Sequence, residues 1–152
     1  IFLSARSESK DTVLITAGIH GDEPAGPAAI IRFLERNNSH LIEHFNFLLL
    51  PYINPAGFEH NKRGNLDGID INRLFESDDI TEVTLAKEAL HGLRFAFTID
   101  FHEDWEARGF YLYEDKRDKK WNGPVIINAV KKMGSIDKSS AESDIPLYEG
   151  GA

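Results

Sequence analysis

The sequence predicts an α/β fold with a mostly parallel or mixed central sheet and helices on both faces. Three long apolar segments are typical of strands that are buried on both faces of a sheet. Segments with apolar residues at helical spacing separate these strands along the chain. Strands that alternate with helices in this way favour a sheet that is largely parallel.

The first half of the chain contains most of the predicted sheet. Residues 1–3 form a short apolar piece that we interpret as an edge strand, and residues 12–19 form the first long buried strand. Residues 24–36 are predicted to be a helix, because Pro24 suits the first helical position and apolar residues then recur at helical spacing. Residues 45–53 form a second apolar run, which we expect to lie parallel to the first.

A long polar segment at residues 58–77 follows the second strand. Its charged and amide side chains are interleaved with apolar ones, so that the apolar residues can anchor a functional loop while the polar ones face a ligand. A solvated surface loop is the alternative. The remaining predicted elements are a helix at 81–90, a third buried strand at 95–101, a strand at 109–113, a charged turn at 116–120, a helix at 124–133 and a short apolar segment at 145–148.

Composition limits the class of protein. The chain has 152 residues, of which 41% are hydrophobic, and a formal net charge of −8, as is typical of one globular domain. The acidic balance argues against nucleic acid as a partner, and no apolar run is long enough to cross a membrane. The absence of cysteine excludes disulfides, cysteine-based zinc sites and a thiol nucleophile. We expect a soluble cytoplasmic protein with an incomplete N-terminus, because the chain starts at Ile1 rather than Met.

A histidine and a glutamate follow the first buried strand. His20 and Glu23 lie three residues apart at a strand end, which is where open α/β sheets place their binding sites. An imidazole nitrogen and a carboxylate oxygen placed in this way can share one zinc ion. The alternative is a helix N-terminus whose acidic residues interact with the helix dipole.

The ends of the three buried strands are expected to meet at one edge of the sheet. If the strands are parallel, His102, which follows the third strand, lies near His20 and Glu23. Two histidines and one glutamate, with the fourth position left to water, make a catalytic zinc set. Asp100 faces the same side of its strand as His102 and can accept a hydrogen bond from the histidine ring. The alternative for Asp100 is a strand-end aspartate that caps a turn.

Two arginines in the polar segment are candidates for contact with a substrate. The guanidinium groups of Arg63 and Arg73 can each bind a carboxylate in bidentate fashion, and Asn72 adds an amide donor. A guanidinium can also stabilise the oxyanion that forms when water attacks an amide carbonyl. The alternative is that these arginines lie on the surface and pair with neighbouring acidic residues.

The order of these residues resembles that of the zinc carboxypeptidase superfamily. The superfamily includes carboxypeptidase A-like peptidases and the succinylglutamate desuccinylase/aspartoacylase deacylases. The resemblance covers roughly residues 12–102 and implies a three-layer fold with one zinc ion per chain. The elements that carry it are His20-x-x-Glu23, then Arg63, then Asn72-Arg73 within Gly-Ile-Asp-Ile-Asn-Arg, and finally His102.

The resemblance also implies a role for each of these residues. His20, Glu23 and His102 would hold the zinc. Arg63 would polarise the scissile carbonyl, and Asn72-Arg73 would bind the free α-carboxylate of the substrate.

The general base of the superfamily is a glutamate on a later strand. Glu149 follows a short apolar segment but lies in a turn-like context, so we expect the base beyond Ala152. Residues 1–152 are accordingly interpreted as one zinc-hydrolase catalytic domain that lacks its C-terminal part. Glu103, Glu106 and Tyr111 come soon after the last candidate ligand. One interpretation is that they line the pocket, but we expect a solvated or packing role for each.

Three functions are compatible with these residues. The first is a zinc-dependent metallo-carboxypeptidase that hydrolyses an amide bond next to a free carboxylate, at a peptide C-terminus, by attack of zinc-bound water. The second is a deacylase of small N-acyl amino acids, of the succinylglutamate desuccinylase/aspartoacylase type. The third is a metal- or carboxylate-binding domain that has no general base and is not an enzyme.

Overall fold

The computed structural model describes residues 1–4, 11–115 and 122–137 of the chain, in two compact units. The first unit is Ile1–Glu103, and the second begins at Asp104. The predicted charged turn at 116–120, the apolar segment at 145–148 and Glu149 lie outside the described residues. Within the described ranges, no helix has the length and apolar character that crossing a bilayer would require.

Four strands form the sheet of the first unit, namely β1 (Phe2–Leu3), β2 (Thr12–Ala17), β3 (Asn46–Leu50) and β4 (Phe97–Phe101). Their order across the sheet is β1-β3-β2-β4. The central strand β2 runs parallel to both β3 and β4, whereas the short β1 is antiparallel to β3. The prediction of a mixed sheet with a parallel centre is therefore confirmed, and the carboxyl ends of β2, β3 and β4 share one edge.

Alternate residues of the central strands form the main hydrophobic core. Val13, Ile15 and Ala17 of β2 point to the same face as Phe47 and Leu49 of β3, and all five are buried. The helices α1 (Ala25–Glu35) and α2 (Ser39–Ile42) contribute to this face, through Ile30 of α1 and through partly buried side chains of both helices. Complete burial of one such large aliphatic side chain stabilises the fold by about 1.5–3 kcal/mol.

A second, smaller core anchors the long loop that follows β3. The buried residues Ile19, Ile71 and Val83 belong to one cluster, against which Ile69 and Phe75 pack. The helix α4 (Thr81–Leu90) supplies Val83. Residues 58–77 are not structureless: the helix α3 (Pro55–Glu59) overlaps their start, and a 3₁₀ turn forms at Ile71–Leu74. As expected, apolar residues hold this loop against the protein.

Two of the buried strands are shorter than the sequence indicates, for reasons that lie in single residues. β2 ends at Ala17 because Gly18 adopts the left-handed conformation, with φ of 65°, and turns the chain. β3 ends at Leu50, directly before Pro51, which has no N–H to donate to a ladder.

The prediction that the third strand is buried was wrong. β4 pairs with β2, and the described residues place no strand on its other side. Phe97, Thr98 and Asp100 are consequently exposed, and 47% of the surface of Phe97 is accessible. The apolar sequence of β4 indicated a strand correctly, but it could not indicate where the strand lies in the sheet.

The second unit contains less regular structure than the sequence predicts. Instead of a strand at 109–113, the structure has a single parallel bridge between Phe110 and Ile136. The predicted helix at 124–133 is α5 (Gly123–Val130), followed by a turn. The backbone approaches closely beside the bridge, since a Cβ atom on Gly109 would lie only 2.7 Å from the carbonyl oxygen of Ser135.

Candidate metal centre

The turn after β2 places His20 and Glu23 in the protein interior. Only 2% of His20 and 7% of Glu23 is accessible to solvent. Close packing of two backbone segments makes this burial possible: a Cβ atom on Gly21 would lie 2.0 Å from the carbonyl carbon of Gly57. Glycine is therefore required between the two candidate ligands, and the turn is pressed against the start of α3.

Parallel pairing brings His102 to the same place. Ala17, the last residue of β2, lies opposite Phe101, the last residue of β4, so His102 leaves the sheet beside the turn that carries His20 and Glu23. The two histidine rings have their centroids 5.0 Å apart. One ligand atom from each of the three residues can be chosen such that all three lie within 4.8 Å of one another.

Both imidazoles turn the same nitrogen towards Glu23. His20 Nδ1 lies 2.6 Å from Glu23 Oε1, and His102 Nδ1 lies 3.0 Å from Glu23 Oε2. The opposite nitrogen of each ring faces another carboxylate. His20 Nε2 lies 3.3 Å from Asp70 Oδ1, and His102 Nε2 lies 3.0 Å from Asp100 Oδ2. A proton on Nε2 satisfies these outer contacts and leaves the Nδ1 lone pairs facing inward, as a pair of metal ligands requires.

Asp70 is a part of the site to which the sequence assigned no role. Besides His20, it contacts Arg63, whose Nε lies 3.1 Å from Oδ2, and Arg73, whose Nε lies 3.4 Å from the same oxygen. The sequence feature that could have indicated a role for Asp70 is its position in Gly-Ile-Asp-Ile-Asn-Arg, two residues before Asn72. Spacing within that segment could not show that the carboxylate meets a histidine 50 residues away.

Local interactions shift the pKa values of three of these groups. Burial tends to raise the pKa of Asp70, but the hydrogen bond from Arg63 and the charges of His20 and Arg63 outweigh it and lower the pKa. Partial desolvation likewise tends to raise the pKa of Asp100, although 45% of its side chain is accessible, and hydrogen bonds from His102 and Thr16 lower the pKa overall. The Thr16 hydroxyl donates to Asp100 over 2.6 Å. Both aspartates are therefore ionised at neutral pH.

The pKa of His102 is raised. The hydrogen bond to Asp100 is the main cause, and it prevails over burial together with the negative charges of Asp100 and Glu23. Because a histidine must be unprotonated to bind a metal ion, metal and proton compete for this ring.

The structure brings Arg63 and Arg73 close to the predicted ligands through shared carboxylates. Arg63 Nη1 donates to Glu23 Oε1 over 3.3 Å while half of its side chain stays exposed. Arg73 is more open, with 81% of its side chain accessible. Asn72 precedes Arg73 in the 3₁₀ turn and is exposed. The arginines are thus paired with acids, as the alternative interpretation held, but those acids belong to the site.

Asn54 is a second residue whose role the sequence did not reveal. Its side chain is fully buried, and its Oδ1 accepts a hydrogen bond of 2.8 Å from the backbone N–H of Gly57. Its amide group donates to the carbonyl oxygens of Ile19 and Arg63, each over 3.4 Å. One side chain therefore joins the turn after β2, the start of α3 and the backbone of Arg63.

The donor set fits a zinc ion. Two imidazole nitrogens and one carboxylate oxygen are the ligands of many catalytic zinc sites, and each imidazole here has the outer carboxylate partner that such ligands usually have. About a third of the His102 side chain is accessible, which leaves the site a side open to water and substrate. The mixed sheet with this set at its carboxyl edge defines the zinc carboxypeptidase class of fold.

Comparison with known proteins places the chain in one branch of this class. Residues 9–135 match the family described as the succinylglutamate desuccinylase/aspartoacylase catalytic domain, and the chain belongs to that family. Among solved structures, a candidate metallopeptidase from Shewanella denitrificans OS217 superposes with a TM-score of 0.79 at 24% identity, over 99% of this chain and 60% of that one. A succinylglutamate desuccinylase/aspartoacylase from Rhodobacter sphaeroides gives 0.55 at 26% identity, over 71% and 35% of the two chains.

A curated relative has a peptidase name. The "Probable carboxypeptidase 2" of Arthroderma benhamiae is 26% identical over 155 aligned positions, which cover 93% of this chain and 27% of the relative. The chain thus spans little more than a quarter of this relative.

Proposed function

We propose that this chain carries the metal centre of a zinc-dependent hydrolase that cleaves an amide bond next to a free carboxylate. One zinc ion per chain would be held by Nδ1 of His20, the carboxylate of Glu23 and Nδ1 of His102. The observation that carries the proposal is the arrangement of both histidines between Glu23 on the inside and a separate aspartate on the outside. Such outer partners fix the tautomer and orientation of metal ligands.

Zinc bound at this set would lower the pKa of a water molecule to about 7 and would polarise the substrate carbonyl. Arg63 is the group of the chain that would stabilise the negative charge developing on that carbonyl oxygen. Its hydrogen bonds to Glu23 and Asp70 hold the guanidinium beside the metal ligands, and its exposed half leaves N–H groups for the substrate.

Arg73 and Asn72 would bind the free carboxylate of the substrate. Arg73 contacts Asp70 through Nε, so the edge of the guanidinium formed by its two terminal nitrogens is available for a second carboxylate. Arg63 and Arg73 both contact Asp70, which supports a role for both arginines on the same side of the site. We further propose that the general base is a glutamate on a later strand of the protein, as the resemblance to the superfamily implies.

The metallo-carboxypeptidase is our first candidate, because the exposed Arg73 and Asn72 suit the C-terminal carboxylate of a long substrate. The name of the curated relative supports the same activity. The second candidate is a deacylase of small N-acyl amino acids, which membership of the succinylglutamate desuccinylase/aspartoacylase family favours. The two candidates share the metal chemistry and differ in the size of the group on the other side of the amide bond.

Metal analysis and matched substrates test the proposal. The purified full-length protein, with any residues that follow Ala152 included, should contain one zinc ion and hydrolyse either a peptide with a free C-terminus or an N-acyl amino acid of comparable charge. His102→Ala should lose zinc and activity, whereas His44→Ala, at an exposed histidine outside the site, should lose neither. Unchanged zinc content in His102→Ala would refute the ligand assignment. Zinc binding without hydrolysis of either substrate would instead support the non-enzymatic alternative.

A further inference from the structure

Glu103 connects the two segments that carry the candidate metal ligands. It follows His102 directly, and its backbone N–H donates a hydrogen bond of 3.0 Å to Glu23 Oε2. Its side-chain Oε1 accepts a hydrogen bond from the backbone N–H of Ala25, two residues after Glu23. Two hydrogen bonds from one residue thus close a ring between the end of β4 and the start of α1.

The contact with Ala25 compensates for a missing helix cap. Ala25 is the first residue of α1, and the preceding residue, Pro24, makes no side-chain hydrogen bond to the helix. The first N–H groups of a helix lack partners within it, and a carboxylate near them is favoured by the helix dipole. Glu103 therefore caps α1 from a position 78 residues further along the chain.

We propose that Glu103 is a positioning residue of the metal centre, an inference that rests on the zinc site proposed above. The bond between its side chain and Ala25 fixes the start of α1 against the end of β4. Glu23 lies two residues before the start of α1, and His102 directly follows the end of β4. The hydrogen bond therefore sets the distance between these two candidate ligands before a metal ion binds. Glu103 acts through Glu23 and does not itself contact the metal.

A helix cap without any effect on the metal site would have the same contacts, so stability alone cannot test the proposal. The informative quantities are the zinc affinity of the folded protein and the visible absorption spectrum of the cobalt(II)-substituted protein, which reports ligand geometry. Zinc affinity can be measured by competition with a chelator, at a temperature well below the unfolding transition of every variant. A cap that serves only α1 would change the unfolding temperature and leave both quantities unchanged.

Three variants of Glu103 test separately how the hydrogen-bond acceptor, the length and the charge of this side chain affect zinc affinity. Glu103→Ala removes the acceptor and should weaken zinc binding by about 10–100-fold, as is typical for groups that orient metal ligands, and should change the cobalt spectrum. Glu103→Asp keeps the charge but is one methylene shorter, so it should fall between Ala and the parent. Glu103→Gln retains a carbonyl oxygen for the Ala25 N–H and should preserve most of the affinity. Glu88→Ala, at an exposed acid on α4, is the matched control and should bind zinc like the parent.

The outcomes distinguish this proposal from the proposed function. If Glu103→Ala and Glu103→Asp match the parent in zinc affinity and cobalt spectrum, Glu103 does not position the site. A Glu103→Gln protein as weak in zinc binding as Glu103→Ala would also overturn the proposal, because the hydrogen bond would then not be the cause. If the parent binds no zinc, the proposed function fails and this inference fails with it. If His102→Ala loses zinc while every Glu103 variant keeps it, only this inference fails.

Discussion

At the scale of single residues, Asp70 links the candidate metal ligands to the candidate substrate-binding groups. Its carboxylate contacts the buried His20, a candidate metal ligand, and also Arg63 and Arg73, which are candidate substrate-binding residues. A change at Asp70 should therefore affect both zinc binding and the positions of the arginines.

Asp70→Asn is expected to weaken zinc binding by about 10–100-fold, because the amide cannot offer His20 the same charged acceptor. The measurement is a chelator competition on the purified variant. Asp67→Asn is the control, since Asp67 is an exposed acid in the same loop. Equal zinc affinity in the parent and Asp70→Asn would show that the contact with His20 does not tune the site.

Arg73→Lys tests the binding of the substrate carboxylate. Lysine keeps the charge and loses the planar fork, so hydrolysis of substrates with a free carboxylate should weaken by roughly 2–5 kcal/mol in transition-state free energy. Zinc content should stay the same, because Arg73 is not a predicted ligand. The measurement is kcat/KM for matched acid and amide substrates with both proteins. A parent that hydrolyses acid and amide equally well would contradict the role of Arg73.

At the scale of secondary-structure elements, the metal centre depends on how closely the turn after β2 approaches α3. Gly21 lies between the two candidate ligands and allows this approach, and Asn54 holds both segments with buried hydrogen bonds. The candidate metal ligands are thus supported by Gly21 and Asn54, which are not themselves candidate ligands.

Gly21→Ala is expected to destabilise the fold by about 1–3 kcal/mol or more, because the added methyl group would overlap the backbone of Gly57. Chemical denaturation of the metal-free protein measures the loss. Gly134→Ala serves as the control, since a Cβ at that position meets nothing within 4 Å. Comparable midpoints for the two variants would mean that the turn can move away from α3 at little cost.

The sequence predicted the central strands from local patterns, and it predicted the convergence of His20, Glu23 and His102 from the parallel pairing of those strands. Unbroken apolar runs indicated β2 and β3, and parallel pairing then required His20 and His102 to meet. The exposure of β4 depends on which strands lie beside it, which no pattern within residues 95–101 encodes. Asp70 and Asn54 depend on contacts across loops, where spacing along the chain gives no distance in space.

At the scale of the whole molecule, the acidic net charge opposes the approach of the proposed carboxylate-bearing substrate. The formal charge of −8 repels anions at long range, so the local guanidinium groups must supply the attraction. The absence of a nucleic-acid partner stays a prediction on the same grounds.

Zinc removal should lower the melting temperature of the whole first unit. An ion that binds only the folded protein, at roughly 100 times its Kd, stabilises it by about 2.7 kcal/mol, which for a chain of this length corresponds to roughly 5–10 °C. Thermal unfolding with and without a chelator measures the effect, and His102→Ala should be insensitive to the chelator. An unchanged melting temperature in the parent would indicate that the three ligands do not hold a metal together.

Because Glu23 and His102 are far apart along the chain, a metal ion bound by both would also cross-link distant segments. The two residues are 79 positions apart, so an ion shared between them closes a loop that contains α1, α2, β3, α3, α4 and β4. Bringing the two ends of so long a loop together lowers the conformational entropy of an unfolded chain. In the folded unit the two residues are already held together by other contacts, so metal binding adds no such loss. The ion would then act as a reversible cross-link, and the supply of zinc in the surroundings would decide how long the enclosed segment resists unfolding and proteolysis.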